Sequence, residues 1–114
     1  MEVKSRERYI RMSARKIRRV INEIRGKKVN DALTILKFMP YFAAKVVEKN
    51  LVSAVANASE KWGVVSDNLI VSDAFADEGP TYKRAKPRAQ GRIYKILKRT
   101  AHLTVAVKVV EEVK

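Results

Sequence analysis

The spacing of hydrophobic and polar positions changes period along the chain, and the changes mark its elements. From Val3 to Arg11, Lys4, Arg6 and Arg8 alternate with Val3, Ser5, Glu7 and Tyr9. This is the two-residue period of a strand with one strongly basic face, and Tyr9 and Ile10 are its expected anchors. Ser13 then offers an N-cap hydroxyl, Ile17, Val20, Ile21 and Ile24 recur at i, i+3, i+4 and i+7, and Gly26 supplies a stop; the pattern predicts a helix. At about 100° per residue, Arg15, Arg18, Arg19, Asn22 and Arg25 fall on the opposite arc, with Lys16 to one side.

After Lys27 and Lys28, the stretch Val29 to Met39 predicts a second, short helix with Asn30 as N-cap and Val29, Leu33, Leu36 and Met39 inward. Pro40 ends it and starts the next, because proline lacks the N–H a preceding turn needs but suits a first helical turn. Tyr41 to Trp62 predicts the longest helix, with Ala43, Val47, Leu51, Ala54, Val55, Ala58 and Trp62 inward and Gly63 closing it.

Asp67-Asn68 is turn chemistry. Beyond it, Leu69, Val71, Asp73 and Phe75 alternate with Ile70, Ser72, Ala74 and Ala76, a strand with both faces partly covered. The last strand starts near Ala101, with Leu103, Val105, Val107 and Val109 on one side and His102, Thr104, Ala106 and Lys108 on the other. The order strand, three helices, strand, strand predicts an α+β sandwich: three helices packed on a three-stranded antiparallel sheet, in one domain over residues 1–114.

Between the last two strands lies Gly79 to Arg99, with eight Lys or Arg and no acid. That is too long for a hairpin loop of about 2–5 residues. Either it is disordered, or the strands continue outward as a two-stranded ribbon turning around Pro87 to Gly91. Ten residues per side at about 3.3 Å each reach roughly 30 Å. A ribbon without a core is marginal in water, so its order is expected to depend on a partner. Asp77, Glu78 and His102 are the expected fixings of its root.

Charge turns this outline towards function. The formal net charge is +13 and the pI near 10.3. Residues 1–28 carry net +8, residues 29–78 net −3 and residues 79–110 net +9. Two basic regions thus flank a mildly acidic middle, and the partner expected is a polyanion, nucleic acid first and an anionic membrane surface second. Glu23 is the only acid within the first helix, so its cations repel one another unless phosphates lie beside them. Substituting Arg15 and Arg18 is expected to weaken binding with little change in stability. Trp62 and Phe42 read as core or rim aromatics rather than stacking platforms.

Catalytic chemistry is scarce. The chain has no cysteine and one histidine, His102, which argues against disulfides, thiolate or histidine metal clusters and a His-paired nucleophile. Asp77 and Glu78 are adjacent and on a strand face opposite ways, and no glycine-rich phosphate loop is present. The expectation is a non-enzyme without cofactors or metals. With no apolar run of about 18 residues and no leader pattern, neither membrane insertion nor secretion is expected. A basic arm suits irregular folded RNA, read largely by shape, while a DNA major groove also accepts a two-stranded ribbon. A free-standing DNA-binding protein and a membrane-surface protein therefore stay as alternatives at this point.

The residues of the arm carry a resemblance. Asp77-Glu78-Gly79-Pro80, Lys83-Arg84, Pro87-Arg88-Ala89, Gly91-Arg92 and His102-Leu103-Thr104-Val105 are similar to the signature of the bacterial-type large-subunit ribosomal protein twenty-two family. So are Tyr9, Arg11, Ser13, Arg15-Lys16, Ile24-Arg25-Gly26-Lys27 and Ala54-Val55-Ala56-Asn57-Ala58. Gln90 stands where a base is common in that family, and Ile93 where a small residue is common. The resemblance implies a structural constituent of the large ribosomal subunit that binds large-subunit rRNA, supports assembly, and adjoins neighbouring ribosomal proteins. It implies a location in the cytoplasm, or in an organellar ribosome where an organelle keeps the gene.

On the body, the implied rRNA-binding residues are Arg6, Arg8, Arg11, Ser13, Arg15 and Lys16, then Arg18, Arg19, Arg25, Lys27 and Lys28. On the arm and its root they are Lys83, Arg84, Lys86, Arg88 and Arg92, then Lys95, Lys98, Arg99 and His102. The resemblance also implies that a tip formed by Lys83, Arg84, Ala85, Lys86, Pro87, Arg88, Ala89, Gln90, Gly91 and Arg92 lines the nascent-peptide exit tunnel near the macrolide site. There it would meet the nascent peptide and macrolides, with altered drug response expected at Tyr82, Lys83 and Arg84.

Overall fold

The computed structural model describes residues 2–87 and 93–109, with backbone alone for 82–87 and 93–98. Its elements run β1 (Glu2–Ile10), α1 (Ala14–Ile21), α2 (Val29–Phe38), α3 (Phe42–Trp62), a 3-10 turn (Ser66–Asn68), β2 (Leu69–Glu78), β3 (Tyr82–Pro87), β4 (Ile93–Lys98) and β5 (Ala101–Val109). Strands β1, β5 and β2 form an antiparallel sheet in that order, and β3 and β4 form a separate two-stranded one. Three helices on three antiparallel strands is the α+β sandwich the periodicity predicts.

The helix stripes pack on one face of the sheet. Ile17, Val20, Ile21 and Ile24 are fully buried with Val47, Leu51, Leu69, Val71, Leu103, Val105 and Val107 in one cluster. Helix α1 is shorter than its stripe, because regular helix ends at Ile21 and residues 22–26 continue as turns that still deliver Ile24 to the core. Gly26 sits at φ 82°, where a side chain would be strained. Its N–H donates to the Val71 carbonyl and the Lys27 carbonyl accepts from Val71 N–H, both at 2.9 Å.

Of the two expected N-caps, one holds in position and one is corrected. Ser13 occupies the N-cap position of α1, but its hydroxyl makes no capping hydrogen bond. The N-cap of α2 is Lys28, not Asn30, and the Asn30 amide instead donates to the Asp67 carboxylate. Within α2 the buried stripe is Val29, Ala32 and Leu36, while Leu33 and Met39 are half-buried. Met39 is extended at ψ 128°, as the residue before a proline must be. In α3, Val55 and Trp62 lie at the rim of the core, and Ala44 and Asn50 are buried instead.

Asn50 is a polar clasp that the hydrophobic pattern does not reveal. Its Oδ1 accepts from the Ser5 hydroxyl at 2.6 Å, and its Nδ2 donates to the Ser5 carbonyl at 3.2 Å and the Leu103 carbonyl at 3.5 Å. It thereby fixes α3 against β1 and β5 with its own polar atoms satisfied.

Strand β2 changes face midway. Leu69 and Val71 point to the core, but from there Ala74 and Ala76 are buried while Asp73 and Phe75 are exposed. The register slips between Val71 and Asp73. One extra residue in a strand inverts the facing of everything after it, so the single alternation expected over Leu69 to Ala76 is corrected by a bulge at Ser72. Central β5 is buried on both faces: Thr104 pairs across the ladder with Arg6 and Phe75, and Ala106 with Lys4 and Asp73.

The arm is the ribbon, not the disordered alternative, over the described backbone. Its register runs from Tyr82↔Lys98 to Pro87↔Ile93. It does not simply prolong β2 and β5, since residues 79–81 and 99–100 separate the two sheets. The molecule measures 72 × 26 × 18 Å, so the ribbon extends its long axis well beyond the body.

Candidate nucleic-acid interface

Cations gather where the first helix meets the root of the arm. Arg15, Lys16, Arg18 and Arg19 are exposed on α1 because the same helical period that buries Ile17, Val20 and Ile21 turns them outward. With Ser13, Asn22 and Arg99 they line an open depression of about 770 Å³. Ser13, Arg15 and Arg99 also line a smaller recess of about 270 Å³, shared with Glu78, Gly79, Thr81 and Thr100. The basic helix face and the start of the arm therefore form one continuous surface.

These arginines are not equivalent. Arg18 donates through Nε at 3.1 Å and Nη2 at 2.8 Å to the Ala76 carbonyl. Arg25 donates through Nε at 3.1 Å and through Nη2 to the Ala74 carbonyl, and through Nη1 to Asn22 Oδ1 at 3.0 Å. Its Nε also lies 3.7 Å from Asp73 Oδ1. Strand β2 is a sheet edge, whose outward carbonyls need partners, and these two guanidinium groups supply them. Arg19 lies over the Tyr41 ring at 3.9 Å. The side chains of Arg15 and Lys16 have no hydrogen-bond or ion-pair partner among the described residues, which leaves their full charge for an anion.

The root of the arm is a close-packed joint. Gly79 N–H donates to the Thr100 carbonyl at 2.9 Å, and the buried Thr100 hydroxyl donates to the Pro80 carbonyl at 2.6 Å. A Cβ on Gly79 would lie 2.5 Å from Thr100 Oγ1 and 3.2 Å from the His102 ring. His102 Nδ1 accepts from Tyr9 N–H at 3.0 Å, and the Tyr9 and His102 rings meet edge to face at 4.9 Å.

Tyr9 has φ 59° within the irregularity between Glu7 and Ile10. The bulge redirects its N–H from the ladder to the histidine. Tyr9 is thus exposed, not a core anchor, whereas Ile10 is buried. His102 serves the root as expected. Asp77 and Glu78, the other expected fixings, are exposed and make no ion pair among the described residues, where Gly79, Thr100 and Tyr9 do the fastening instead.

The other implied residues divide by place. Lys4, Arg6 and Arg8 are exposed on β1 at the far edge of the sheet, and Arg11 follows them. Lys27 and Lys28 are exposed at the opposite end of α1, beside the start of β2. Lys83, Arg84, Ala85, Lys86 and Pro87 lie on β3 and Lys95 and Lys98 on β4, so both strands of the ribbon carry cations. Arg88, Ala89, Gln90, Gly91 and Arg92 lie outside the described residues. Hydrophobic period does not single out the exposed Phe38, and Phe42, expected at the core or its rim, is exposed as well.

Among the described residues no cluster of three or more potential metal ligands occurs, and no helix is long and apolar enough to cross a membrane. Residues 5–108 match the family described as Ribosomal protein L22p/L17e. The chain is 56% identical over 110 residues to the Large ribosomal subunit protein uL22 of Synechococcus sp. (strain JA-3-3Ab), covering 96% of this chain and 89% of that protein. It is 58% identical over 106 residues to the protein of that name from Microcystis aeruginosa, covering 93% and 89% respectively. The counterpart in Clostridium novyi is 51% identical over 108 residues, with 95% and 97% covered.

Proposed function

Because the chain belongs to the ribosomal protein L22p/L17e family, and so is a structural, non-enzymatic constituent of the large ribosomal subunit, we propose that it holds large-subunit rRNA on one continuous basic surface. That surface runs from the α1 depression across the arm's root and along the ribbon. The observation that carries this reading is the depression itself, in which Arg15, Lys16, Arg18, Arg19 and Arg99 converge from two elements distant in sequence.

The mechanism is charge neutralisation by a preshaped scaffold. Each cation set against a phosphate releases condensed counterions, which favours binding at low salt and weakens it steeply as salt rises. The hydrogen-bonded joint at Gly79, Thr100 and His102 sets the direction of the arm, so RNA segments bound by body and arm are held at a defined separation. Neighbouring large-subunit proteins then adjoin a fixed framework, and the chain supports subunit assembly in this way. The family resemblance of the arm supports the further reading that its tip, Lys83 to Arg92, lines the nascent-peptide tunnel near the macrolide site and meets the nascent peptide.

Sedimentation of the tagged chain from a cell extract tests the reading. It should travel with large ribosomal subunits at low salt and leave them as salt rises. Binding to duplex DNA with equal preference, and no association with subunits, would overturn it.

A further inference from the structure

Residues 37–45 read Lys-Phe-Met-Pro-Tyr-Phe-Ala-Ala-Lys, with two cations and no acid. They form the corner between α2 and α3. Phe38, last in α2, is 80% exposed, and Phe42, first in α3, is 70% exposed. Tyr41 between them is 41% exposed. Single exposed apolar side chains need no explanation, but three exposed aromatic rings within five residues of one corner are a concentration of the kind that marks binding surfaces. The fold does not require these rings: the neighbouring core positions are filled by Leu36, Ala43, Ala44 and Val47.

Cations surround this corner. Arg19 crosses from α1 to lie over the Tyr41 ring at 3.9 Å, so the aromatic corner continues the basic depression that Arg19 also lines. Lys37 and Lys45 flank the corner in sequence and line a groove with Met39, Glu48, Lys49 and Val52, three cations to one acid. Flat apolar rings interleaved with cations fit an unpaired nucleotide, whose base stacks on the ring while its phosphate meets the cation. Duplex RNA offers its phosphates but hides its base faces.

We propose that the Phe38, Tyr41 and Phe42 corner is a stacking station for one or two unpaired bases of large-subunit rRNA, joined through Arg19 to the phosphate-binding face of α1. This rests on the rRNA-binding reading above and adds to it a class of interaction that charge does not provide. Base stacking depends little on ionic strength, whereas phosphate neutralisation depends on it strongly. The two contributions are therefore separable by experiment.

The test compares the full chain with F38A/F42A and with F38W/F42W, each titrated with large-subunit rRNA over a range of salt concentrations. Thermal unfolding is followed alongside, and both variants should melt with the unsubstituted chain because the rings are exposed. The alanine variant should bind roughly tenfold or more weakly with an unchanged slope of affinity against salt, a loss in the range of one or two stacked bases. The tryptophan variant should match or exceed the unsubstituted chain. Chemical probing should show unpaired bases protected by the full chain and exposed again with the alanine variant. Unaltered rRNA affinity in F38A/F42A overturns this proposal alone, including the case where that variant fails only to recruit a neighbouring ribosomal protein in a reconstituted subunit. Failure of the unsubstituted chain to bind rRNA overturns the functional reading beneath it as well.

Discussion

In the body, α1, α2 and α3 cover one face of the β1-β5-β2 sheet and share a single buried cluster. In the arm, β3 pairs with β4 and, among the described residues, with no third strand. The body is therefore held by apolar burial that needs no partner, and the ribbon by a ladder that is marginal in isolation. Charge does not follow the same division, because residues 1–28 of the body carry net +8, residues 29–78 net −3, and residues 79–110, which include the arm, net +9. A self-sufficient fold thus positions a segment whose stability depends on what it touches, and a close-packed joint links the two.

The sharpest contrast comes from the core. Leu51 is fully buried on α3, so Leu51→Ala should cost about 2–5 kcal/mol in chemical denaturation. At the joint, Gly79→Ala brings a methyl within 2.5 Å of the Thr100 hydroxyl. Displacing that buried hydroxyl from the Pro80 carbonyl should cost about 1–3 kcal/mol, and it should alter the amide environments of residues 99–102 in NMR spectra more than those of α3.

The α1 arginines give a finer test. Arg18→Ala removes two donations to an edge carbonyl and should cost about 1 kcal/mol, whereas Arg15→Ala should stay within about 0.5 kcal/mol. Both should weaken rRNA binding, so stability separates them and affinity does not. Smallest of all should be the effect of replacing residues 82–98 by a short Gly-Ser link: Gly79 and Thr100 are already hydrogen-bonded, and the body should keep its melting temperature within a few degrees. In the intact free chain, amide exchange in β3 and β4 should be faster than in the centre of α3.

Much of this architecture is legible in hydrophobic period. The stripe Ile17, Val20, Ile21 and Ile24 lies in the core as its spacing implies, even though regular helix ends before Ile24. That an arm leaves the body is legible because a basic stretch between two strands is too long for a loop, but its length leaves ribbon and disorder both open, and only the β3–β4 register gives the ribbon. Period is silent where the backbone departs from regularity. Nothing in Val-Ser-Asp-Ala shows the bulge at Ser72 that turns Asp73 and Phe75 outward, and nothing at Tyr9 shows the positive φ that sends its N–H to His102. Asn50 is invisible for another reason, since a buried amide is acceptable only where Ser5 and Leu103 happen to meet it. Charge counting likewise groups Arg18 and Arg25 with Arg15, because composition cannot show that their donors already serve the β2 edge.

The central claim is that body and arm engage rRNA together through counterion release from one continuous basic surface. The direct measurement is the affinity for large-subunit rRNA as a function of salt, for the full chain and for the chain lacking residues 82–98. The full chain should show a steep log–log slope, and removing the arm should flatten it by roughly 0.7–0.9 for each phosphate that is no longer neutralised while the body remains folded. Equal slopes for the two chains would contradict the account, because the arm's cations would then contribute nothing to binding.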